Sequence, residues 1–530
     1  MSQLPIHELL PQIAQACQAS NQLILQAAPG AGKSTVVPLF LLQQLPGTGR
    51  IIMLEPRRLA ARNIALYLGQ QLNEPVGQQV GYRVRGEQKV SKTTRLEIVT
   101  EGILTRMLQQ DPELSGVDML IFDEFHERSL QADTALAFAL ESQAALRPDL
   151  KLLVMSATLD GLPLACLLPD AVQLSCQGRA YPVSYQYRPV NRQQPLTPQW
   201  GSVILEAVQQ EAGSLLVFLP GAGEIERLAE WLQTRVATDI HVLCLHGRLP
   251  FAQQQQAILP CPEGLRKIVL TTNVAETSLT IEGIRIVIDT GLERRSSFDL
   301  KSGVTRLETR QITKASATQR AGRAGRLEPG VCYRLWSEEQ QDRLEEQAPP
   351  EILRNDLASL LLESALWGSS PEELPFLDMP PAPALNVGRQ LLRWLEIFDE
   401  QNRLTEKGRQ LAQLPCEPRF GHLLSEAKAL EQQGYAGMLS SACYLVALLE
   451  ERVPGNDPIS VQLTRFASSL RPAAQRWWQR LHGEGTMPAL SVTHTDILAA
   501  LAWPDRIARQ SSELRYQLAN GQRADLIADH

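Results

Sequence analysis

The stretch LILQAAPGAGKST, residues 23–35, decides the first part of the fold. A short apolar run leads into a loop of small residues, and Lys33-Ser34 then opens a helical pattern. The amides of such a loop and the amino end of the helix together attract phosphate, whereas a plain glycine-rich turn would need no Lys-Ser pair. We predict that Lys33 reaches the β- and γ-phosphates of a nucleotide and that the Ser34 hydroxyl holds Mg²⁺. The predicted nucleotide-binding loop consists of Ala28, Pro29, Gly30, Ala31, Gly32, Lys33, Ser34 and Thr35.

Short apolar runs recur outward from this loop, separated by helical patterns. The strand-like runs are 23–26, 51–54, 119–122 and 152–155, and the pattern restarts at 215–219, 241–245, 267–271 and 284–289. Short buried strands that alternate with helices are typical of a parallel sheet covered on both faces. We therefore predict an α/β fold with two tandem units of similar size. Their boundary is expected near Cys176–Asn191, where Pro182 and Pro189 interrupt the pattern.

After Arg326 the strand-like runs become rare and helical periodicity dominates. The helical patterns are 353–366, 387–398, 420–451 and 461–480. The Pro-rich stretch Met379–Pro383 is predicted to be a linker or a turn, because proline interrupts helices and strands. The last third of the chain is therefore expected to be mostly helical.

Composition excludes several classes of protein. The chain has 530 residues and a net charge of −7, so a protein coated uniformly with basic residues for nucleic-acid binding is excluded, and nucleic acid would need a locally basic channel. No apolar run approaches the ~20 residues that span a bilayer, so we expect no membrane association. The 8 cysteines form no C-x-x-C pair, which favours reduced thiols and a cytoplasmic enzyme.

Two carboxylates follow the run 119–122. Asp123 is predicted to bind Mg²⁺ through water, and Glu124 to polarise an attacking water. An acidic pair at a strand end is usually just solvated, but the phosphate-binding loop makes catalysis the better interpretation. Ser156-Ala157-Thr158 also follows a strand-like run, and on its own it is better explained as a helix cap.

The stretch QRAGRAGR, residues 319–326, predicts the other half of a catalytic site. Gln319, Arg323 and Arg326 are spaced i, i+4 and i+7, so we expect them to share one helix face. The Ala and Gly residues between them would let another surface approach closely. Two guanidiniums suit the stabilisation of charge in phosphoryl transfer. The stretch TTNVAETSLT, residues 271–280, offers hydroxyls that can hold phosphate oxygens, which is a weak signal.

These motifs together resemble the DEAH-box branch of superfamily 2 helicases, and within it the bacterial HrpB-type ATP-dependent RNA helicases. The other matching motifs, in order, are EPRRLAA (55–61), TEGIL (100–104), DEFHERS (123–129) and SAT (156–158). The resemblance covers nearly the whole chain. It implies two RecA-like lobes of the P-loop NTPase type, with ATP between them.

The resemblance also implies roles for single residues. Lys33, Ser34 and Asp123 would hold phosphates and Mg²⁺, Glu124 would activate water, and Gln319, Arg323 and Arg326 would complete the site from the second lobe. The positions that hold RNA backbone in relatives are Arg57, Arg58, Thr100 and Thr272. His126 would couple the acidic motif to Gln319, and Ser156 and Thr158 match the motif that links hydrolysis to strand movement. Tyr67 takes the place of the arginine that stacks on adenine in relatives, and its partner would be Leu292 or Phe298. Phe125 stands where the branch usually has alanine.

For the rest of the chain the resemblance implies further domains. The expected limits are 1–175 and 176–345 for the two lobes, 346–418 for a winged-helix-like domain, 419–510 for a helical ratchet-like domain and 511–530 for the start of an OB-like segment. Tyr516–Leu526 is expected to form a first hairpin around Asn520-Gly521. Relatives continue beyond this point, so we expect a C-terminus shorter than theirs, which would affect RNA binding.

The resulting hypothesis is an ATP-driven motor on single-stranded or partly duplex RNA. The resemblance implies 3′-to-5′ movement and duplex unwinding. The run 292–313, with Lys301-Ser302-Gly303 at its centre, predicts a hairpin, which in the family separates strands and otherwise would be an ordinary surface hairpin. An RNA-stimulated ATPase that remodels ribonucleoprotein without unwinding, a nucleotide-binding scaffold, and a DNA substrate are the alternatives.

Overall fold

The computed structural model describes residues 4–44, 49–158, 163–178, 181–277, 281–326, 328–451, 457–483 and 485–525. By their internal contacts the residues form two units. The first comprises Met1–Phe298, Thr305–Asn355 and Leu374–Met379, and the second comprises Asp299–Val304, Asp356–Glu373 and Pro380–His530. Among the described helices, none is both long enough and apolar enough to cross a membrane.

The first half of unit 1 contains an eight-stranded sheet. Its strands are β1 Gln22–Ala27, β2 Ile51–Leu54, β3 Val80–Val84, β4 Glu87–Lys89, β5 Leu96–Val99, β6 Met119–Phe122, β7 Lys151–Ser156 and β8 Val172–Cys176. The order is β4-β3-β5-β2-β6-β7-β1-β8, and β4, which is antiparallel to β3, is the exception to parallel pairing. The helices are α1 Leu10–Ala19, α2 Lys33–Gln44, α3 Arg58–Gln71, α4 Glu101–Gln110, α5 Leu130–Ala145 and α6 Leu164–Leu167.

The second half of unit 1 contains a six-stranded parallel sheet and a separate hairpin. The sheet strands are β9 Val183–Tyr187, β10 Ser214–Phe218, β11 Ile240–Leu245, β12 Arg266–Thr271, β13 Ile284–Asp289 and β16 Gly330–Arg334, in the order β11-β12-β10-β13-β16-β9. The predicted hairpin is β14 Leu292–Asp299 and β15 Val304–Gln311. The helices are α7 Leu196–Gln210, α8 Ala222–Gln233, α9 Phe251–Ile258, α10 Lys314–Ala321 and α11 Glu338–Asp342.

Unit 2 is mostly helical. Its helices are α12 Ala358–Trp367, α13 Ala382–Trp394, α14 Glu406–Ala412, α15 Pro418–Gln432, α16 Met438–Glu450, α17 Ile459–His482 and α18 Thr495–Ala502. A three-stranded antiparallel sheet follows, with β17 Ala508–Ser512, β18 Arg515–Leu518 and β19 Arg523–Asp525. Short 3-10 helices along the whole chain are Pro5–Leu9, Phe125–Glu127, Asn273–Ala275, Glu351–Leu353 and Pro504–Arg506.

The prediction of two parallel sheets followed by a helical region is confirmed. Most of the apolar runs are strands inside a sheet, which have no polar face, whereas the run 241–245 lies in β11 at the edge of the second sheet. The domain limits at 175/176, 345/346, 418/419 and 510/511 stay predictions.

The strand β9 lies within the interval 176–191, where the boundary between the lobes is expected, and that boundary stays a prediction. One detail of the sequence prediction was wrong. The hairpin around Asn520-Gly521 is the second hairpin of its sheet, because β17 pairs with β18 before it. Leu526, the predicted end of that hairpin, lies outside the described residues.

Side chains from both lobes of unit 1 share one core cluster. Leu59 and Ala60 of α3 are buried together with Phe218 of β10 and Ala275. The two lobes therefore pack directly against each other, and the carboxyl ends of their strands carry the predicted motifs. In α/β folds, ligands bind at this edge of a sheet.

Candidate functional site

The predicted nucleotide-binding loop connects β1 to α2, as expected. Gly30 and Gly32 have φ angles of 83° and 98°, a region that favours glycine. A Cβ on Gly30 would have no atom within 4 Å, whereas one on Gly32 would lie 2.9 Å from Leu4 Cδ1 and 3.1 Å from Ile6 Cγ2. One side of the loop is therefore open and the other is backed by the amino-terminal segment. The open side leaves room for a phosphate.

Lys33 lies against the carboxylates that end β6. Its Nζ donates a hydrogen bond to Glu124 Oε1 at 2.8 Å and lies 3.9 Å from Asp123 Oδ1. Burial lowers the pKa of Lys33, but the two carboxylates outweigh burial and raise it. Burial also raises the pKa of Glu124, but Lys33, His126 and Arg323 together lower it below its usual value. Glu124 is therefore ionised, as a group that polarises water must be.

The residues next to this contact suit a magnesium ion. Asp123 Oδ2 is buried and makes no hydrogen bond to any described residue, while Oδ1 accepts from the Glu124 amide at 2.8 Å. The Ser34 hydroxyl interacts with the same carboxylate and lowers its pKa, although burial raises that pKa overall. Carboxylate and hydroxyl oxygens are suitable ligands for Mg²⁺, which usually keeps several waters and binds substrate phosphates. No group of three metal-ligating side chains occurs in the described part of the chain.

A tight turn follows the acidic pair. Glu124 and Arg128, with φ of 49° and 50°, flank the 3-10 helix Phe125–Glu127. His126 Nδ1 lies 3.6 Å from Glu124 Oε2 and accepts a hydrogen bond from the Ala157 amide at 3.4 Å. His126 therefore connects the acidic pair to the Ser156–Thr158 segment, in which the Ser156 hydroxyl donates to the Thr158 carbonyl. Burial lowers the pKa of His126. Within the described residues His126 makes no hydrogen bond to Gln319, so that coupling stays a prediction.

Two arginines of the second lobe lie within electrostatic reach of Glu124. Arg323 is buried, and its guanidinium donates to the carbonyls of Glu276, at 3.0 Å from Nε, and of Thr277. Its charge lowers the pKa of Glu124. Burial lowers the pKa of Arg326 to about 10, and Glu124 opposes that shift. The structure thus brings the two halves of the predicted site together.

The expectation that Gln319, Arg323 and Arg326 share one helix face is wrong. The helix α10 ends at Ala321, so only Gln319 lies on it. Beyond it the Arg323 amide donates to the Arg320 carbonyl at 3.1 Å, a tighter turn than an α-helix. The chain then passes close to Tyr181, because a Cβ on Gly325 would lie 2.5 Å from the Tyr181 carbonyl oxygen. The expected close approach therefore occurs at Gly325.

The predicted RNA contacts lie along the same edge of unit 1. Arg57 Nη2 lies 3.0 Å from Glu127 Oε1, and Arg57 Nη1 donates to the Asn273 carbonyl at 2.5 Å. Arg58 donates to the Arg85 carbonyl at 2.9 Å. The remaining two residues lie at the starts of helices: Thr100 precedes α4, and Thr272 accepts from the Val274 amide at 3.5 Å. Arg57 is thus held between the lobes, and the RNA-binding roles stay predictions.

Within the described residues, no hydrogen bond or ring contact joins Tyr67 to Leu292 or Phe298. Tyr67 on α3 is 43% exposed. Leu292 packs partly against the second-lobe core, and the Phe298 amide donates to the Arg354 carbonyl at 2.9 Å, so neither is favoured as its partner. Arg62, one turn before Tyr67, lies over the Phe251 ring at 5.1 Å and connects the two lobes, a contact that the sequence did not predict.

Sequence reasoning also missed the buried arginine of the motif. Arg320 is fully buried, pairs with Glu276 at 2.9 Å and Asp289 at 3.0 Å, and lies over the Phe218 ring. Arg320 thereby holds the start of the turn that carries Arg323 and Arg326 against Asp289 of β13 and against Glu276, which follows β12. The available signal was that QRAGRAGR contains a third arginine, Arg320, besides the two that were assigned to catalysis.

Comparison with known proteins places these motifs in a family. Residues 8–164 match the model described as DEAD/DEAH box helicase, and residues 201–328 match the helicase conserved C-terminal domain. The chain is 46% identical to the ATP-dependent RNA helicase HrpB of Escherichia coli, over all of this chain and 65% of that protein. It is 38% identical to the HrpA homolog of Haemophilus influenzae, over 80% of this chain and 33% of that protein.

The fold has matching solved structures. The E. coli DEAH/RHA helicase HrpB matches with a TM-score of 0.89 at 46% identity, covering 98% of this chain and 66% of the other. A second structure, the E. coli DExH-box NTPase HrpB, gives a TM-score of 0.83 and covers 99% of this chain and 64% of the other. The chain therefore spans about two thirds of the length of the relatives that it matches over its whole length.

Proposed function

The chain belongs to the DEAD/DEAH-box helicase family, in its DEAH/RHA branch, and on that premise we propose that it hydrolyses ATP to move 3′-to-5′ along single-stranded RNA and unwind duplexes. One observation carries the proposal. Lys33 and the ionised Glu124 of the first lobe lie within electrostatic reach of Arg323 and Arg326 of the second. A triphosphate between them would meet cationic groups from both lobes, so hydrolysis would depend on how the lobes are arranged.

Each residue of the site has a proposed part. Lys33 and the loop Ala28–Thr35 bind the phosphates, and Ser34 and Asp123 hold Mg²⁺, which when bound would neutralise charge on the phosphates. Glu124 accepts a proton from the attacking water, which Gln319 orients. Arg323 and Arg326 stabilise the charge that develops on the phosphoryl oxygens. Tyr67 stacks on the base.

RNA is proposed to contact the lobes through its backbone. Arg57, Arg58, Thr100 and Thr272 bind phosphate and sugar, so the motor reads no base sequence. His126 couples the acidic pair to Gln319, and Ser156 and Thr158 pass the change at the ATP site to these RNA contacts. The hairpin β14–β15 separates strands, and residues 346–418 and 419–510 form the winged-helix-like and ratchet-like domains. The 8 free cysteines support a cytoplasmic location.

The test is ATP turnover by this chain with and without single-stranded RNA, alongside the variant Lys33→Ala. RNA is expected to increase turnover of the unchanged chain. Lys33→Ala is expected to keep its circular dichroism spectrum and to lose turnover by about a hundredfold or more, because the phosphates lose their direct cationic partner. Turnover of Lys33→Ala at the unchanged rate would contradict the site, and turnover insensitive to RNA would contradict the substrate.

A further inference from the structure

One carboxylate oxygen connects residues from both lobes. Glu127 Oε1 lies 3.0 Å from Arg57 Nη2 and accepts a hydrogen bond from the Thr277 hydroxyl at 2.5 Å. Arg57 also donates to the Asn273 carbonyl at 2.5 Å. The Arg57 and Glu127 side chains are only 19% and 21% exposed, so this is not a solvated surface pair. Glu127 thus joins α3 of the first lobe to the segment after β12 of the second.

The same residue is attached directly to the catalytic turn. The Glu127 amide donates to the Glu124 carbonyl at 2.9 Å, and Glu124 itself is held in the left-handed region with φ of 49°. A non-glycine residue in that region persists only when its surroundings fix it. A displacement of Glu127 would therefore also displace Glu124 and its carboxylate. Glu127 therefore contacts both Glu124, which is proposed to activate water, and Arg57, which is proposed to bind RNA.

RNA would compete with Glu127 for its main partner. Under the proposed function Arg57 binds a backbone phosphate, and phosphate and carboxylate are the two anions that bind guanidinium in the same way. Burial lowers the pKa of Arg57, but Glu127, Glu276 and Glu55 outweigh it and raise that pKa, so the guanidinium lies in negative surroundings. A phosphate that binds Arg57 would therefore have to displace the Glu127 carboxylate from it.

We propose that Glu127 is a positioning residue that reports RNA binding to the ATP site. Without RNA its carboxylate holds Arg57 and, through Thr277, the second lobe. When a phosphate takes Arg57, Glu127 loses one of its two partners, and the turn that carries Glu124 is released. The inference rests on the proposed function, and it explains how RNA stimulates hydrolysis without touching the ATP site.

The first test is an epistasis measurement of RNA affinity. A fluorescein-labelled oligouridylate is titrated, in the absence of nucleotide, with the full chain and with Glu127→Gln, Arg57→Ala and the double variant. Glu127→Gln is expected to tighten binding by about fivefold, because the competing charge is gone. Arg57→Ala is expected to weaken binding, and adding Glu127→Gln to it should change nothing, since Glu127 acts through Arg57.

The second test measures RNA stimulation of ATP turnover. Glu127→Gln and Thr277→Val, which keeps both charges, are each expected to reduce the ratio of RNA-stimulated to RNA-free turnover by about fivefold. Thr277→Val should leave RNA affinity within about twofold of the unchanged chain. The control is Glu339→Gln, which removes a carboxylate paired with Arg343 where both side chains are more than 70% exposed, and it should change neither quantity.

The outcomes separate the inference from the proposed function. An unchanged chain that neither binds the oligouridylate nor responds to it would overturn the proposed function and the inference together. A responsive chain whose stimulation ratio survives both Glu127→Gln and Thr277→Val would overturn the inference alone. A gain in RNA affinity from Glu127→Gln that persists in the Arg57→Ala background would also overturn the inference, because it would come from the change in overall charge and not from Arg57.

Discussion

At the scale of single residues, the two arginines of the second lobe repel each other. Glu124 attracts both of them, and Glu55 and Glu276 add negative charge around Lys33 and Arg323. Burial lowers the pKa of both arginines, and the charge of one lowers that of the other. An anionic ligand would relieve this, so the residues themselves favour a polyphosphate between the lobes.

Glu101, a partly buried glutamate at the start of α4, predicts a dependence of stability on pH. Burial raises the pKa of Glu101 to about 8, and Glu127, Glu351 and Asp133 add to the shift, while a hydrogen bond from the Ser129 hydroxyl opposes it. The folded chain therefore holds a proton that the unfolded chain loses above 4.5. The contribution of Glu101 to stability is complete below that pH and is lost as pH rises towards about 8.

The variant Glu101→Gln tests this prediction. Its amide oxygen can still accept from Ser129, but it has no charge to bury. We expect its melting temperature at about pH 8 to exceed that of the unchanged chain by about 2 °C, and the difference to disappear near pH 4.5. Glu113→Gln, an exposed change in the loop after α4, is the control, and its melting temperature should vary with pH as that of the unchanged chain does. The same variation with pH in Glu101→Gln would contradict the assignment.

At the scale of elements, the turn after α10 fixes the arginines. A Cβ on Gly325 would lie 2.5 Å from the Tyr181 carbonyl, whereas one on Gly322 would meet its nearest atom, the Thr318 carbonyl oxygen, at 3.4 Å. Gly325→Ala must therefore displace the turn, and a misplacement of about 1 Å at a catalytic group can cost about a hundredfold in rate.

The two glycines make a matched pair for experiment. Gly325→Ala is expected to lower ATP turnover by at least about tenfold, and Gly322→Ala to leave it within about twofold. Steady-state phosphate release measures both, with circular dichroism as the check on folding. Equal rates for the two variants would show that the turn does not depend on the Tyr181 contact.

The elements also show what the sequence can predict. The runs 51–54, 119–122 and 284–289 coincide with β2, β6 and β13, because strands buried inside a parallel sheet are mostly apolar. The strand β9 escaped prediction because its sequence, VSYQY, contains no continuous apolar run. The strand β16 escaped it because it begins with Gly330 and ends in Arg334, whose charge is buried beside the Tyr185 ring, 4.3 Å away. The approach of Gly325 to Tyr181 could not be predicted, because the two residues are distant in sequence.

Some features of the site could also be predicted from the sequence, and others could not. The positions of Lys33, Asp123 and Glu124 follow from motifs at the ends of strands that share one sheet edge. The contacts of Arg57 with Glu127 and of Arg323 with Thr277 join segments that only the folded chain brings together. Sequence patterns therefore predicted the chemistry, and tertiary packing determined which charges are already paired.

At the scale of the whole molecule, the central prediction is directional movement. The hairpin β14–β15 has a tight end, where Gly303 has φ of 61° and its amide donates to the Asp299 carbonyl at 2.8 Å. With ATP, we expect the chain to unwind RNA duplexes that carry a 3′ single-stranded tail and not those with a 5′ tail. Strand release on a native gel measures this, with Lys33→Ala as the inactive control. Unwinding from 5′ tails alone would contradict the proposed polarity.

The account depends most on one ATP site built from both lobes, and Arg323→Ala tests it directly. With single-stranded RNA present, we predict that ATP turnover falls by about a thousandfold, as expected when an arginine that stabilises phosphoryl transfer is removed. Binding of a fluorescent ATP analogue should stay within about threefold, because Lys33 and its loop remain. Turnover of Arg323→Ala at the rate of the unchanged chain would contradict the account.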